Sequence, residues 1–211
     1  MPGRETSQPM FNGPADAATT VILAHGAGAG MDTPFMEFFA QGLAAGNLPV
    51  VRFEFPYMAQ RRLGGPKRPP DREDVLRQTW LEVIGQFRKT RLVISGKSLG
   101  GRIASLIADE AQVAGLVCLG YPFHPVGKPA QTRVEHLRAL KTPTLILQGA
   151  RDPFGTPKEV ASYPLADAIR LYWLEDGEHS FKPRKASGRS ETQNWEQAIA
   201  AILAFITSES A

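Results

Sequence analysis

Cysteine is close to absent from this chain: a single residue, Cys118, occurs in 211. One thiol closes no internal disulfide, and without a second cysteine a thiolate metal site is excluded. Long apolar runs are missing as well. None approaches the roughly 18 residues that a membrane-spanning helix needs, so no membrane partner is expected. The first 18 residues are polar and lack the apolar centre of a secretory signal. No repeat of fixed period and no low-complexity tract is visible. An excess of one charge is also lacking. The 24 Lys and Arg residues stand against 21 Asp and Glu, a formal charge of +3, which is too mild to argue for a nucleic-acid partner. What is present is ordinary globular composition, 43% hydrophobic and 21% charged, which excludes a wholly disordered chain. A cytoplasmic enzyme or binding domain is expected, with a flexible tail over residues 1–18 and one folded domain over residues 19–211.

After the tail, short apolar runs alternate with amphipathic stretches. Residues 20–24, 49–55, 92–95, 116–119, 144–147 and 169–174 read as six strands. The first is apolar throughout, as a strand buried on both faces should be. Between the strands, apolar residues recur at helical spacing: Phe35, Phe38, Phe39 and Leu43; then Leu76, Trp80, Val83 and Phe87; then Leu99, Ile103 and Ile107. Thr33-Pro34 suits a helix start, and Asp71 is a candidate cap for the helix that carries Trp80. Residues 133–140 suggest a short helix with His136 on its surface, and Trp195 to Ile206 a final amphipathic one. Such alternation implies a three-layer αβα sandwich around a mostly or wholly parallel sheet, because each parallel pair needs a crossover. Ligands then bind beyond the carboxyl ends of the strands.

One strand-to-helix turn carries chemistry. Gly96-Lys97-Ser98-Leu99-Gly100 fits G-x-S-x-G, a turn so tight that glycines must flank the serine. It lifts Ser98 above the sheet edge, with the free N–H groups of a helix start behind it. Two phosphate-loop readings fail. A Walker loop ending at Lys97-Ser98 requires glycine where Arg91 stands, and a dinucleotide loop starting at Gly26 requires glycine where Met31 stands.

A serine nucleophile needs a base, and the base needs an orienting acid. In folds with this turn the chain order is Ser, acid, His. His124, His136 and His179 follow the serine. His179 stands in a loop directly after the last strand and is the preferred base; His124 fits a structural or rim position. Asp152 follows the strand at 144–147 and is the preferred acid. Asp176 suits a loop turn, and Asp167 precedes its strand, at the wrong sheet edge. The Leu99 N–H and one from the loop after the first strand would bind an oxyanion, with Ala27 the first choice and Gly28 the next. His25 reads as a buried histidine bonded to nearby backbone. Cys118, Trp80, Trp173 and Trp195 read as core.

These residues together resemble the α/β-hydrolase superfamily, and within it the small capless hydrolases grouped with dienelactone hydrolase. The closest resemblance is to the hydrolase-like domain family of the third non-specific-lethal complex subunit and its bacterial relatives. It is carried by His25-Gly26-Ala27-Gly28-Ala29, by Arg62 with Arg68-Pro69-Pro70-Asp71-Arg72, and by the run from Gly96 to Gly101. Gly120-Tyr121-Pro122-Phe123-His124-Pro125, Asp152-Pro153-Phe154-Gly155-Thr156 and His179-Ser180-Phe181-Lys182 complete it. The resemblance implies an α/β-hydrolase fold with nucleophile Ser98, acid Asp152 and base His179, and it names no substrate. The longest segments without regular pattern, 57–70 and 124–132, are too short for a large lid, so a shallow site is expected.

Basic residues cluster after the second strand (Arg61, Arg62, Lys67, Arg68, Arg72) and after the last (Lys182, Arg184, Lys185, Arg189). Arg62, Arg68, Lys97, His124 and Lys182 are therefore candidate substrate contacts that would favour an anionic ester. The competing reading is a solvated loop whose arginines pair with Glu73 and Asp74 or cap neighbouring helices. The sequence thus points to a serine hydrolase of a small ester or thioester, without cofactor or metal, acting as a monomer or weak homodimer. A non-catalytic interaction module with the same fold is the alternative, and acyl transfer a third reading.

Overall fold

Six of the chain's apolar runs become strands of one sheet. The computed structural model describes residues 7–87 and 90–209. Its elements are β1 (Met10–Asn12), β2 (Thr19–Ala24), α1 (Pro34–Ala45), β3 (Val50–Phe53), α2 (Pro56–Arg62), α3 (Glu73–Gln86) and β4 (Arg91–Lys97). There follow α4 (Leu99–Ala111), β5 (Gly115–Leu119), β6 (Thr144–Gly149), α5 (Pro157–Val160), β7 (Ile169–Leu174) and α6 (Glu191–Ser208). The seven strands lie in the order β1-β3-β2-β4-β5-β6-β7. All neighbours are parallel except β1, which runs antiparallel to β3.

β1 corrects the expected tail. Met10 pairs with Arg52 and Asn12 with Val50, so part of the 1–18 stretch extends the sheet to a seventh strand; residues 1–6 of that stretch lie outside the described residues. α2 is a second correction, since it fills the first half of a segment expected to lack regular structure. Residues 133–140 contain a 3₁₀ turn at Glu135–Ala139. His136 is half-buried there rather than on the surface: its Nε2 lies 2.8 Å from Ser105 Oγ, and burial, with the Arg102 charge, lowers its pKa to about 4.

The sheet is covered on both faces because each strand sends alternate residues to opposite sides. Val21, Leu23, Val93, Val117 and Leu147 meet Phe39 and Leu43 of α1 and Ile202 and Phe205 of α6. Ile22, Ile94, Leu116 and Ile146 meet Leu76 and Trp80 of α3 and Ile103 and Ile107 of α4. Cys118 is fully buried in β5 on this second face. Trp80 also donates its indole N–H to Gly100 O at 3.3 Å and so ties α3 to the start of α4. Thr33 caps α1 as its sequence suggests, accepting from Met36 N, with Pro34 in the first turn. Asp71 caps no part of α3. Its carboxylate instead accepts the Tyr57 N–H at 2.8 Å and fixes the start of α2. Among the described residues no helix is long and apolar enough to cross a membrane.

Strand order sets the place of the site. From β2 the chain crosses to β3 on one side, and β4 lies on the other. Ala24 stands opposite Gly96 in the register, so the loops after β2 and β4 leave the sheet side by side. A reversal of strand order of this kind opens a crevice at the carboxyl edge.

Candidate active site

Ser98 is the single residue between β4 and α4, with φ 50° and ψ −111°. Such backbone is sparsely populated for a side-chain-bearing residue and costs on the order of 1–3 kcal/mol. Its neighbours make it possible. A Cβ at Gly96 would fall on the Gly100 and Gly101 backbone, and one at Gly100 would come within 2.6 Å of His25 O. Ser98 N–H donates to Leu119 O at 2.9 Å, and Ser98 O accepts from Arg102 N at 2.9 Å. The turn is therefore pinned to β5 and to its own helix.

The loop after β7 brings His179 to this serine. His179 Nε2 lies 2.8 Å from Ser98 Oγ, and Nδ1 lies 2.8 Å from Asp152 Oδ2. An ionised carboxylate only accepts, so Nδ1 carries the proton and Nε2 is free to accept the Ser98 hydroxyl. Asp152 is fully buried in the loop after β6. Its other donors are the Phe154 N–H, at 2.9 Å to Oδ1, and Gln148 Nε2, at 2.8 Å to Oδ2. The Phe154 ring stands 4.4 Å from the His179 ring, centroid to centroid. Asp176 shapes the loop, with a left-handed φ of 52°; its carboxylate accepts the Arg184 N–H at 2.7 Å and pairs with the Arg151 and Arg184 guanidiniums.

A cavity of about 440 Å³ opens over Ser98 and His179. The small residues from Gly26 to Gly30 form one wall, and Phe35, Met36 and Phe154 make the rest largely apolar. Ala27 lies in that wall, and Leu99 is the first residue of α4. Their amide N–H groups have no acceptor among the described residues.

The basic candidates part company. Lys97 lines the cavity, but its Nζ is buried and donates to His179 O at 2.5 Å, with the Phe35 and Phe181 ring centroids 5.5 and 5.9 Å away. Burial lowers its pKa to about 8, against the opposing pull of the Asp152 and Glu178 charges. Arg62 is turned away: Nε and Nη2 grip Glu54 at 2.8 and 2.6 Å, and Nη1 reaches Asp32 at 2.9 Å. Its partners are carboxylates, but not the Glu73 and Asp74 that the competing reading named. Arg68 is exposed and bonds Gln60 at 3.2 Å, outside the cavity. Lys182 is exposed and also outside it. His124 is buried rather than at the rim; its Nδ1 meets Pro125 O at 2.9 Å, and its Nε2 stands 3.6 Å from Glu159. His25 is buried as expected. Gln148 is the residue the sequence reading missed. A glutamine inside the apolar run of β6 is the signal that could have found it, because a buried amide demands partners. Besides Asp152, it accepts the Tyr121 N–H at 2.7 Å and donates to Tyr121 O at 3.2 Å. Among the described residues no group of three or more His, Cys, Asp or Glu is placed to hold a metal ion.

The fold has counterparts. Residues 17–207 match the family model of the alpha/beta hydrolase domain, and the chain belongs to that family. Among solved structures it is similar to an α/β serine hydrolase homologue from Coxiella burnetii: 20% identity, TM-score 0.69, covering 92% of this chain and 90% of that one. A lidless α/β serine hydrolase from Xanthomonas campestris shows 18% identity and TM-score 0.68, over 95% of this chain and 88% of that one. A dienelactone hydrolase from Anabaena variabilis shows 21% identity and TM-score 0.66, over 91% and 88%. At these identities the likeness establishes the fold: an α/β-hydrolase sandwich without a large lid.

Proposed function

We propose that the protein is a serine hydrolase that cleaves a carboxylic ester or thioester through an acyl-enzyme on Ser98. The observation that carries this is the unbroken chain from Ser98 through His179 to Asp152, with both links at 2.8 Å, ending under an open cavity. Ser98 Oγ attacks the carbonyl carbon as His179 Nε2 takes its proton. Asp152 holds the imidazole tautomer and stabilises the imidazolium. The Ala27 and Leu99 N–H groups bind the developing oxyanion, and His179 returns the proton to the leaving oxygen or sulfur. Water then repeats the sequence on the acyl-enzyme and frees the acid.

The substrate's acyl part is small and uncharged in this reading. The walls are apolar, Arg62 is engaged by carboxylates, and the Lys97 ammonium is turned to a backbone carbonyl. Within the superfamily we place the chain beside the hydrolase-like domain family of the third non-specific-lethal subunit, on the motifs quoted above. A single buried thiol fits a cytoplasmic enzyme.

A fluorophosphonate probe read by intact mass tests the proposal. One equivalent should label the folded protein, and none should label Ser98→Ala or heat-denatured protein. Screens of p-nitrophenyl esters and acyl thioesters would follow. A folded protein that takes no label refutes the hydrolase reading and favours an interaction module.

A further inference from the structure

Two successive carbonyls of the loop after β2 converge on one hydroxyl. Tyr57 Oη lies 3.2 Å from Gly26 O and 3.1 Å from Ala27 O. His25 adds a second grip on Gly26. Its Nε2 accepts the Phe55 N–H at 3.1 Å, so the ring proton sits on Nδ1, which donates to Gly26 O at 2.6 Å. Burial lowers the His25 pKa, so this neutral tautomer persists. Burial likewise raises the Tyr57 phenol above its ordinary value, so Tyr57 keeps the proton it donates.

The consequence lies on the other side of the peptide. A trans peptide carries its C=O and N–H in opposite directions, and no cis bond occurs among the described residues. With the Gly26 carbonyl turned toward Tyr57 and His25, the Ala27 N–H faces the opposite way. The Ala27 carbonyl does the same for the Gly28 N–H. An added Cβ at Gly28 would meet no atom within 4 Å, and the outer contact there is Arg61 Nη1, 3.4 Å from Gly28 O. The Gly26 and Ala27 carbonyls are held by Tyr57 and His25.

We infer that Tyr57 is the positioning residue of the oxyanion hole: its hydroxyl holds the Gly26–Ala27 and Ala27–Gly28 peptides with their N–H groups toward the cavity beside Ser98. Asp71 completes the device by fixing the Tyr57 backbone at the start of α2. The inference rests on the serine-hydrolase reading for its chemistry, and on the loop geometry alone for the peptide orientation.

Tyr57→Phe keeps the ring that packs on His25 and Phe55 and removes only the hydroxyl. Since one oxyanion donor is worth about a hundred- to a thousandfold in kcat, its misplacement should lower kcat on p-nitrophenyl acetate by about tenfold to a hundredfold. KM should stay within about twofold, and inhibition by a boronic acid, whose tetrahedral adduct uses the same N–H groups, should weaken by the same factor as kcat. A purely structural role would move Tm and leave this split unmoved. In an Ala27→Pro background, which lacks the N–H, Tyr57→Phe should cost little more, whereas fully additive losses overturn the inference. A crystal structure of Tyr57→Phe reads the peptide without any activity: a turned or displaced Gly26–Ala27 peptide is expected, and an unchanged one overturns the inference. If wild-type protein takes no fluorophosphonate label, the hydrolase reading fails, and the crystal structure still decides the peptide.

Discussion

Arg62→Ala separates two roles that a basic residue near this cavity could have. Its guanidinium holds Glu54 through two bonds, at 2.8 and 2.6 Å, and the Glu54 side chain is 0% exposed. Asp32, half exposed, adds little. Alanine would leave the buried Glu54 carboxylate without a counter-charge, with the Met31 N–H at 3.3 Å and the Ser7 hydroxyl as neutral neighbours. Breaking a buried pair costs about 3–5 kcal/mol, and discounting for the 36% exposure of Arg62 brings the loss to about 2–3 kcal/mol. At this chain length that lowers Tm by roughly 5–10 °C. The loss also has a pH signature. Burial alone would raise the Glu54 pKa, but the Arg62 bonds, with the Met31 N–H and the Arg62 charge, hold it below its ordinary value. In the native protein this stability is present above the unfolded carboxyl pKa and is lost as pH falls through the folded one. In Arg62→Ala burial wins, the Glu54 pKa rises above its unfolded value, and the folded state is penalised increasingly as pH rises.

The deficit of the variant should therefore be small near pH 5 and full near pH 7.5, as scanning calorimetry at the two values would show. Glu54→Gln added to Arg62→Ala should recover most of it at the higher pH, because no buried charge is then left alone. A variant that melts with the wild type, or a deficit equal at both pH values, would refute this account. So would a raised KM for anionic esters with Tm unchanged, which would return Arg62 to the substrate.

Three other substitutions probe neighbouring parts. Gln148→Met leaves the Tyr121 N–H without its acceptor and takes a donor from Asp152, so urea unfolding should show a loss of about 1–3 kcal/mol, with a lower kcat on p-nitrophenyl acetate. Gly96→Ala forces a Cβ onto the backbone of α4 and should cost about 3 kcal/mol in the same assay, with loss of fluorophosphonate labelling. Lys97 has a folded pKa near 8 against an ordinary 10.5; the unfolded chain holds the extra proton between these values, so wild-type stability should rise across that window relative to Lys97→Met. Urea midpoints whose difference stays constant through it would contradict a buried, titrating Lys97.

The parallel strands were legible because a strand buried on both faces is apolar along most of its length, as β2 is from Val21 to Ala24. Ser98 was legible because only glycine fits the two flanking positions that the turn brings against backbone. Asp152 and His179 followed from chain order and from their place just after strands. β1 was not legible: it is three residues long with two of them exposed, so it shows no inward-facing alternation. α2 was hidden for a similar reason, since seven residues hold too few turns to display an apolar stripe. The structural position offered for His124 fits, and its rim position fails because a place after a strand says where the backbone goes and not whether later loops cover the side chain; here Phe154 O receives the His124 N–H and the ring is enclosed.

The fate of the arginines shows where such reading must stop. Charge pairing at the carboxyl edge is decided by which loops become neighbours, and strand order decides that. Because β3 lies beside β2, Glu54 after β3 comes against Gly30, Met31 and Asp32 after β2, and Arg62 at the end of α2 closes on both carboxylates. Because β4 lies on the other side of β2, the same loop borders Ser98. The wall from Gly26 to Gly30 thus has a braced side and a working side. Arg62, Glu54, His25 and Tyr57 hold the braced side through carboxylate and carbonyl contacts. Arg62, which looks in sequence like a substrate-binding cation, is in this strand order a brace of the wall from Gly26 to Gly30, and that is why its removal should be read first in stability and loop geometry rather than in KM.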